Sequence, residues 1–144
     1  MKLKLNTLSV RGFTLVEIMI VVAIIALLAA GAVPYVLRAR QRAQATVMLD
    51  DLRALDGALD QYAIEDSLPD GFEPNGLALM PYIKQGSRLY NSCDSTGTCH
   101  DLFGRPYDLE GGVGGRYAIN QDTYAALSDV APADFWSPYA VDGQ

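Results

Sequence analysis

Basic charge is scarce in this chain. Eleven Lys and Arg stand against seventeen Asp and Glu, a formal net charge of -6 over 144 residues. A nucleic-acid footprint needs a basic face, so that function class is excluded. His100 is the single histidine and no Gly-x-Ser-x-Gly segment occurs. Ser–His nucleophilic catalysis therefore lacks its parts. No Gly-Lys-Ser/Thr follows the glycine-rich run Gly111–Gly115, so that run reads as a loop and not as a phosphate cradle. There are two cysteines, Cys93 and Cys99. With Asp94 and His100 they can be drawn as a metal cluster, but the spacing matches none of the usual zinc pairs and is too local for a tetrahedral site. No catalytic site emerges, and the chain reads as a protein that is not an enzyme.

What the sequence has in abundance is one long apolar run. Ile18–Val33 is sixteen residues without a charge, and the wider block Phe13–Leu37 is 25 residues. At about 1.5 Å per residue that block can span roughly 30 Å of bilayer hydrocarbon. Lys2, Lys4 and Arg11 precede it and Arg38, Arg40 and Arg42 follow it, so the charge rule gives it no clear orientation. Ala30-Gly31-Ala32 matches the small-residue pattern of a signal-peptide cleavage site. The block is nevertheless longer than the roughly 7–15 residues of an ordinary secretory h-region. It also contains Glu17, whose carboxylate costs about 2.5–3.5 kcal/mol in a membrane helix and calls for a partner. A plain anchor leaves Glu17 unexplained.

The segment Gly12-Phe13-Thr14-Leu15-Val16-Glu17 closely resembles the leader junction of type IV pilins and type II secretion pseudopilins. That resemblance implies cleavage between Gly12 and Phe13 by a membrane-embedded prepilin peptidase, followed by N-methylation of Phe13. It implies an assembly role for Glu17 and a helix kink at Gly31 and Pro34. A glycine before the cut suits an enzyme that must approach the backbone closely. The cut would create a cationic amine at Phe13, an opposite charge for Glu17 to meet. Both lie one turn apart if the helix starts at Phe13, so the pairing can be within one chain or with a neighbour.

Pro34 predicts a kink or a melted turn near Ala30–Gly31. Beyond it Met48, Leu52, Leu55, Leu59 and Tyr62 recur at helical spacing and predict an amphipathic helix. Asp50, Asp51, Arg53, Asp56 and Asp60 fall between them, and Ser67, Pro69 and Gly71 end the helix. In the remainder, Leu77–Ile83 reads as a short helix and Arg105–Leu109 and Arg116–Asn120 as strands, with Gly111–Gly115 as their hairpin loop. An even cysteine count in an exported chain predicts a Cys93–Cys99 disulfide. The expected fold is α+β, a pilin-like lollipop: a long N-terminal helix packed on a small C-terminal antiparallel β head. The expected divisions are a leader at 1–12, a transmembrane and filament-core helix at 13–37, an amphipathic helix at 38–66 and a periplasmic head at 67–144.

Asp101-Leu102-Phe103-Gly104-Arg105-Pro106-Tyr107 resembles the Asp-Pro-Trp-Gly-x-Pro-Tyr segment of the major pseudopilin, with Leu102 in place of its proline and Phe103 in place of its tryptophan. That family often binds calcium in a C-terminal loop, which makes Asp122, Asp129, Asp134 and Asp142 candidate ligands; no other cofactor is expected. The resemblance implies a filament subunit in the bacterial inner membrane, with its head in the periplasm. Its partners would be copies of itself, other pilin-like subunits, the prepilin peptidase and an inner-membrane assembly platform. The alternatives are a type IV pilin of a surface fibre serving adhesion, motility or DNA uptake, and a membrane-tethered periplasmic binding domain or enzyme.

Overall fold

The computed structural model describes residues 12–139 and 141. The backbone divides between Leu37 and Arg38 into two compact units. Helix α1 runs over Leu15–Asp66, 52 residues. In the first unit its residues Leu15–Leu37 are all exposed. Among the described residues α1 is the one helix long and apolar enough to cross a membrane. Residues 30–34 stay helical, so of the kink or melted turn expected near Ala30–Gly31 the melt does not form. Proline removes one backbone donor, and the Leu-, Ala- and Val-rich turns on either side carry the helix through.

In the second unit the rest of α1 is followed by α2 (Gly76–Leu79), a 3-10 turn (Met80–Tyr82), α3 (Arg88–Ser92), β1 (Asp108–Glu110), β2 (Arg116–Ala118), α4 (Gln121–Leu127) and α5 (Ala133–Trp136). The fold class is α+β, as the sequence implies. The apolar stripe of α1 becomes the core: Met48, Leu52, Leu55 and Leu59 are buried, joined by Ala45, Leu49 and Ala58. Against them pack Leu79, Ile83, Leu89, Ile119, Leu127 and Trp136. The Trp136 indole N–H donates to the Ala131 carbonyl at 3.1 Å, so the largest core side chain is buried without an orphaned donor.

α1 ends where Ser67 takes a positive φ of 52° and the Leu68 N–H reaches back to the Ala63 carbonyl at 3.0 Å. This is a Schellman-type cap, with Leu68 and Ala63 both packed on the core. The expected helix at 77–83 is α2 continued as the 3-10 turn, which contains Pro81. The hairpin forms with Asp108 opposite Ala118, Leu109 opposite Tyr117 and Glu110 opposite Arg116. Both strands are shorter than the sequence suggests. Residues 101–105 are drawn into a turn on Asp101, described below, and Ile119 turns away to bridge Val141. The glycine-rich loop docks on the turn after α1: Gly71 N–H donates to Val113 O at 2.7 Å and Val113 N–H to Phe72 O at 2.8 Å. Gly112 has φ +65° and lies so close that a Cβ would sit 2.6 Å from Phe72 O, so only glycine fits there.

The Cys93–Cys99 disulfide is formed. Asp94 organises the loop it closes, accepting from the Thr96 and Thr98 amides at 2.8 and 3.1 Å. Its bonds from Thr96 hold its carboxyl below the ordinary range. The His100 ring lies 3.1 Å from the Ser92 carbonyl.

Gly57 sits exposed in the middle of α1, and a Cβ there would meet nothing within 4 Å. Gly57→Ala should therefore stabilise the protein by up to about 1 kcal/mol. The check is a rise in the melting midpoint of the detergent-solubilised chain.

Candidate functional site

Gly12, Phe13 and Thr14 precede α1 without helical structure. Thr14 is the residue just outside the helix and Glu17 is three further on, the spacing of a capping box. Both bonds of the box are present. Glu17 N–H donates to Thr14 Oγ1 at 3.2 Å, and Thr14 N–H donates to Glu17 Oε2 at 3.3 Å. The Ile18 N–H donates to the Thr14 carbonyl at 3.3 Å. Glu17 thus stands in the first turn, at the positive end of the helix dipole, where a carboxylate is favoured.

This changes the expected geometry. Phe13 lies before the helix and is 79% exposed, so it is not one helical turn below Glu17. The group that Glu17 holds in its own chain is the backbone of Thr14. The residues before Gly12 lie outside the described part, and with them most of the expected leader.

In the second unit, three aspartates tie the head together. On a helical wheel of about 100° per residue, Asp51 and Asp56 flank the centre of the leucine stripe by about 70° on opposite sides. The Tyr107 hydroxyl donates to Asp51 Oδ2 at 2.9 Å, and Arg88 from α3 is ion-paired with the same oxygen. On the other flank Asp56 accepts from the Tyr117 amide at 3.0 Å, faces Arg116 at 3.6 Å and bonds the Tyr139 hydroxyl. Burial raises the Asp56 carboxyl above its ordinary value.

The third is Asp101, only 5% exposed. Its Oδ1 accepts from the amides of Phe103 at 2.7 Å and Arg105 at 2.9 Å. Its Oδ2 accepts from the hydroxyl of Thr123, which is fully buried and takes a further bond from Arg105 at 3.0 Å. Asp101 is thereby the knot of the Asp101–Tyr107 segment, while Tyr107 at its far end reaches Asp51.

The candidate calcium ligands are dispersed in chain and role. Asp122 opens α4, its amide bonded to Asn120 at 3.1 Å. Asp129 follows α4, Asp134 opens α5, and Asp142 lies outside the described residues. Among the described residues no three His, Cys, Asp or Glu side chains converge on a common point.

Burial raises the phenols of Tyr107 and Tyr117, the latter to about 12. An unfolded tyrosine ionises near 10. The native state therefore holds these protons after the unfolded chain has released them. Stability that is full below pH 10 should fall as pH rises from 10 toward 12. Urea midpoints at pH 8 and 11 should show the loss, and Tyr117→Phe should reduce it.

Residues 8–33 match the family described as the prokaryotic N-terminal methylation motif. The chain is 41% identical over 84 residues to type II secretion system core protein G of Klebsiella michiganensis, covering 57% of this chain and 59% of that protein. It is 46% identical over 55 residues to core protein G of Pseudomonas aeruginosa, covering 38% and 39%. It is also 42% identical over 72 residues to the type IV wide pilus major component PilA4 of Thermus thermophilus, covering 50% and 53%. The chain spans between 39% and 59% of the length of these relatives. No solved structure matches it significantly.

Proposed function

We propose that this chain is a structural subunit of a type IV pilus-like filament, and specifically a major pseudopilin of a type II secretion system. The observation that carries this is the first unit. An apolar helix exposed on every side begins with a carboxylate held in a capping box, directly after the Gly12–Phe13 bond. An apolar helix whose described residues are exposed must be covered by lipid or by other helices. One that also carries a carboxylate suits a segment that moves from the first environment to the second.

On this reading a prepilin peptidase cuts after Gly12 and methylates Phe13. The subunit waits in the bacterial inner membrane with its head in the periplasm. An assembly platform then stacks it with copies of itself and other pilin-like subunits. The head supplies no catalysis. A second reading, a subunit of a surface type IV pilus, is favoured by the similarity to the Thermus wide-pilus component.

Co-expression with a prepilin peptidase and an assembly platform provides the test. Fibres sheared from the cells or released from the periplasm should contain this chain. A chain that stays monomeric in the membrane under those conditions overturns the filament reading.

A further inference from the structure

Arg38, Arg40 and Arg42 follow the apolar run within five residues, all three exposed. No Asp or Glu occurs from Ile18 to Leu49. Among the described residues the ion pairs are Arg53–Asp50, Arg88–Asp51 and Arg116–Asp56, and none of them neutralises these arginines. The first acid beyond them, Asp50, is eight residues past Arg42. That is about 12 Å along a helix, more than the screening length of about 8 Å in physiological salt. The head does not cover them either, because the buried face of α1 starts at Ala45.

Their placement around the helix identifies what they meet. At about 100° per residue, Arg40 lies about 200° from Arg38, and Arg42 about 40° from it. The guanidinium groups thus stand on two opposite sides of the axis, Arg38 and Arg42 on one and Arg40 on the other, within about 6 Å of rise. A partner helix touches one face, whereas a layer of lipid headgroups encloses the helix. All three residues are arginine, whose planar fork matches phosphate oxygens two at a time.

We propose that Arg38, Arg40 and Arg42 form a collar that binds the phosphates of anionic phospholipid where α1 leaves the bilayer. The collar rests on the membrane placement proposed above and not on filament assembly. Its function is to hold the waiting subunit at a fixed depth, so leaving the membrane requires releasing these lipids.

The full chain, purified in mild detergent, can be titrated with phosphatidylglycerol and phosphatidylcholine, and the bound lipid read by native mass spectrometry. Each arginine near an anionic surface contributes about fivefold in affinity, so the collar predicts at least a tenfold preference for phosphatidylglycerol. High salt should erase that preference, and so should the triple variant Arg38→Gln, Arg40→Gln, Arg42→Gln. The triple lysine variant should retain part of it, which separates charge loss from misfolding. Equal retention of the two lipids by the native chain overturns the collar. A preference that survives the triple glutamine variant does so too, even if that variant loses filaments, because the arginines then meet the acidic face of a second copy. Displacement by inorganic phosphate at the lipid's concentration would mark a soluble-anion site and also overturn it. A chain recovered from cells without its apolar helix would sink the membrane placement itself, whereas a membrane-integrated chain without the lipid preference sinks the collar alone.

Discussion

Replacing Glu17 with alanine should abolish filament formation while leaving the Gly12–Phe13 cut and the amount of membrane-bound subunit intact. Two losses combine. Within the chain the substitution removes the carboxylate that accepts from the Thr14 N–H, a capping interaction of about 0.5–2 kcal/mol. On the proposed function it also removes, in the filament, the counter-charge for the amine that the cut would create at Phe13. Leaving one member of a buried charge pair alone costs about 3–5 kcal/mol, or roughly two to four orders of magnitude in an association constant. The yield of sheared filament relative to processed subunit should therefore fall below detection. Glu17→Gln separates the two terms. Its amide oxygen can still accept from Thr14, so the cap survives but the charge does not. Assembly by the glutamine variant at the native level would show that the charge has no part in it.

Replacing Asp101 with alanine should strongly destabilise the head. The carboxylate takes two amide bonds and one hydroxyl bond, and is almost completely buried. Alanine leaves the Phe103 and Arg105 amides and the fully buried Thr123 hydroxyl without their acceptor. Removing one partner from such a network costs about 3–5 kcal/mol. For a domain of this size each kcal/mol moves the melting temperature by about 4–8 °C. A fall of at least 12 °C is expected in the detergent-solubilised chain. Thr123→Val removes one hydroxyl and should cost less, about 1–3 kcal/mol. A variant Asp101→Ala that melts within a few degrees of the native chain would show that the knot is not what holds the Asp101–Tyr107 segment.

The sequence made these two sites legible to different degrees. Gly12 to Glu17 is a contiguous pattern, so its chemistry reads directly from the chain. The capping geometry reads less directly, because Thr14 and Glu17 show the box spacing only once the helix start is known. The Met48–Tyr62 stripe is visible because helical periodicity repeats over about four turns. Asp51 and Asp56 are hidden by the same pattern, since an acid beside an apolar stripe reads as a solvated face. Only the distant Tyr107, Arg88 and Tyr117 turn them inward. Their signal was their placement on opposite flanks of the stripe, five residues apart. The strand ends are not legible in the sequence because each strand is three residues long, too short for alternation to fix a boundary. Pro34 reads as a local breaker from the sequence, and the helical turns around it continue through it.

On the proposed function, this chain becomes a filament subunit only after a specific cut. Intact mass and N-terminal fragmentation of the chain isolated from its own cell membranes test that most directly. The account predicts a mature protein that begins at Phe13 and carries one methyl group on its amine. A chain that retains Met1 through Gly12, or one that begins near Val33, would contradict it.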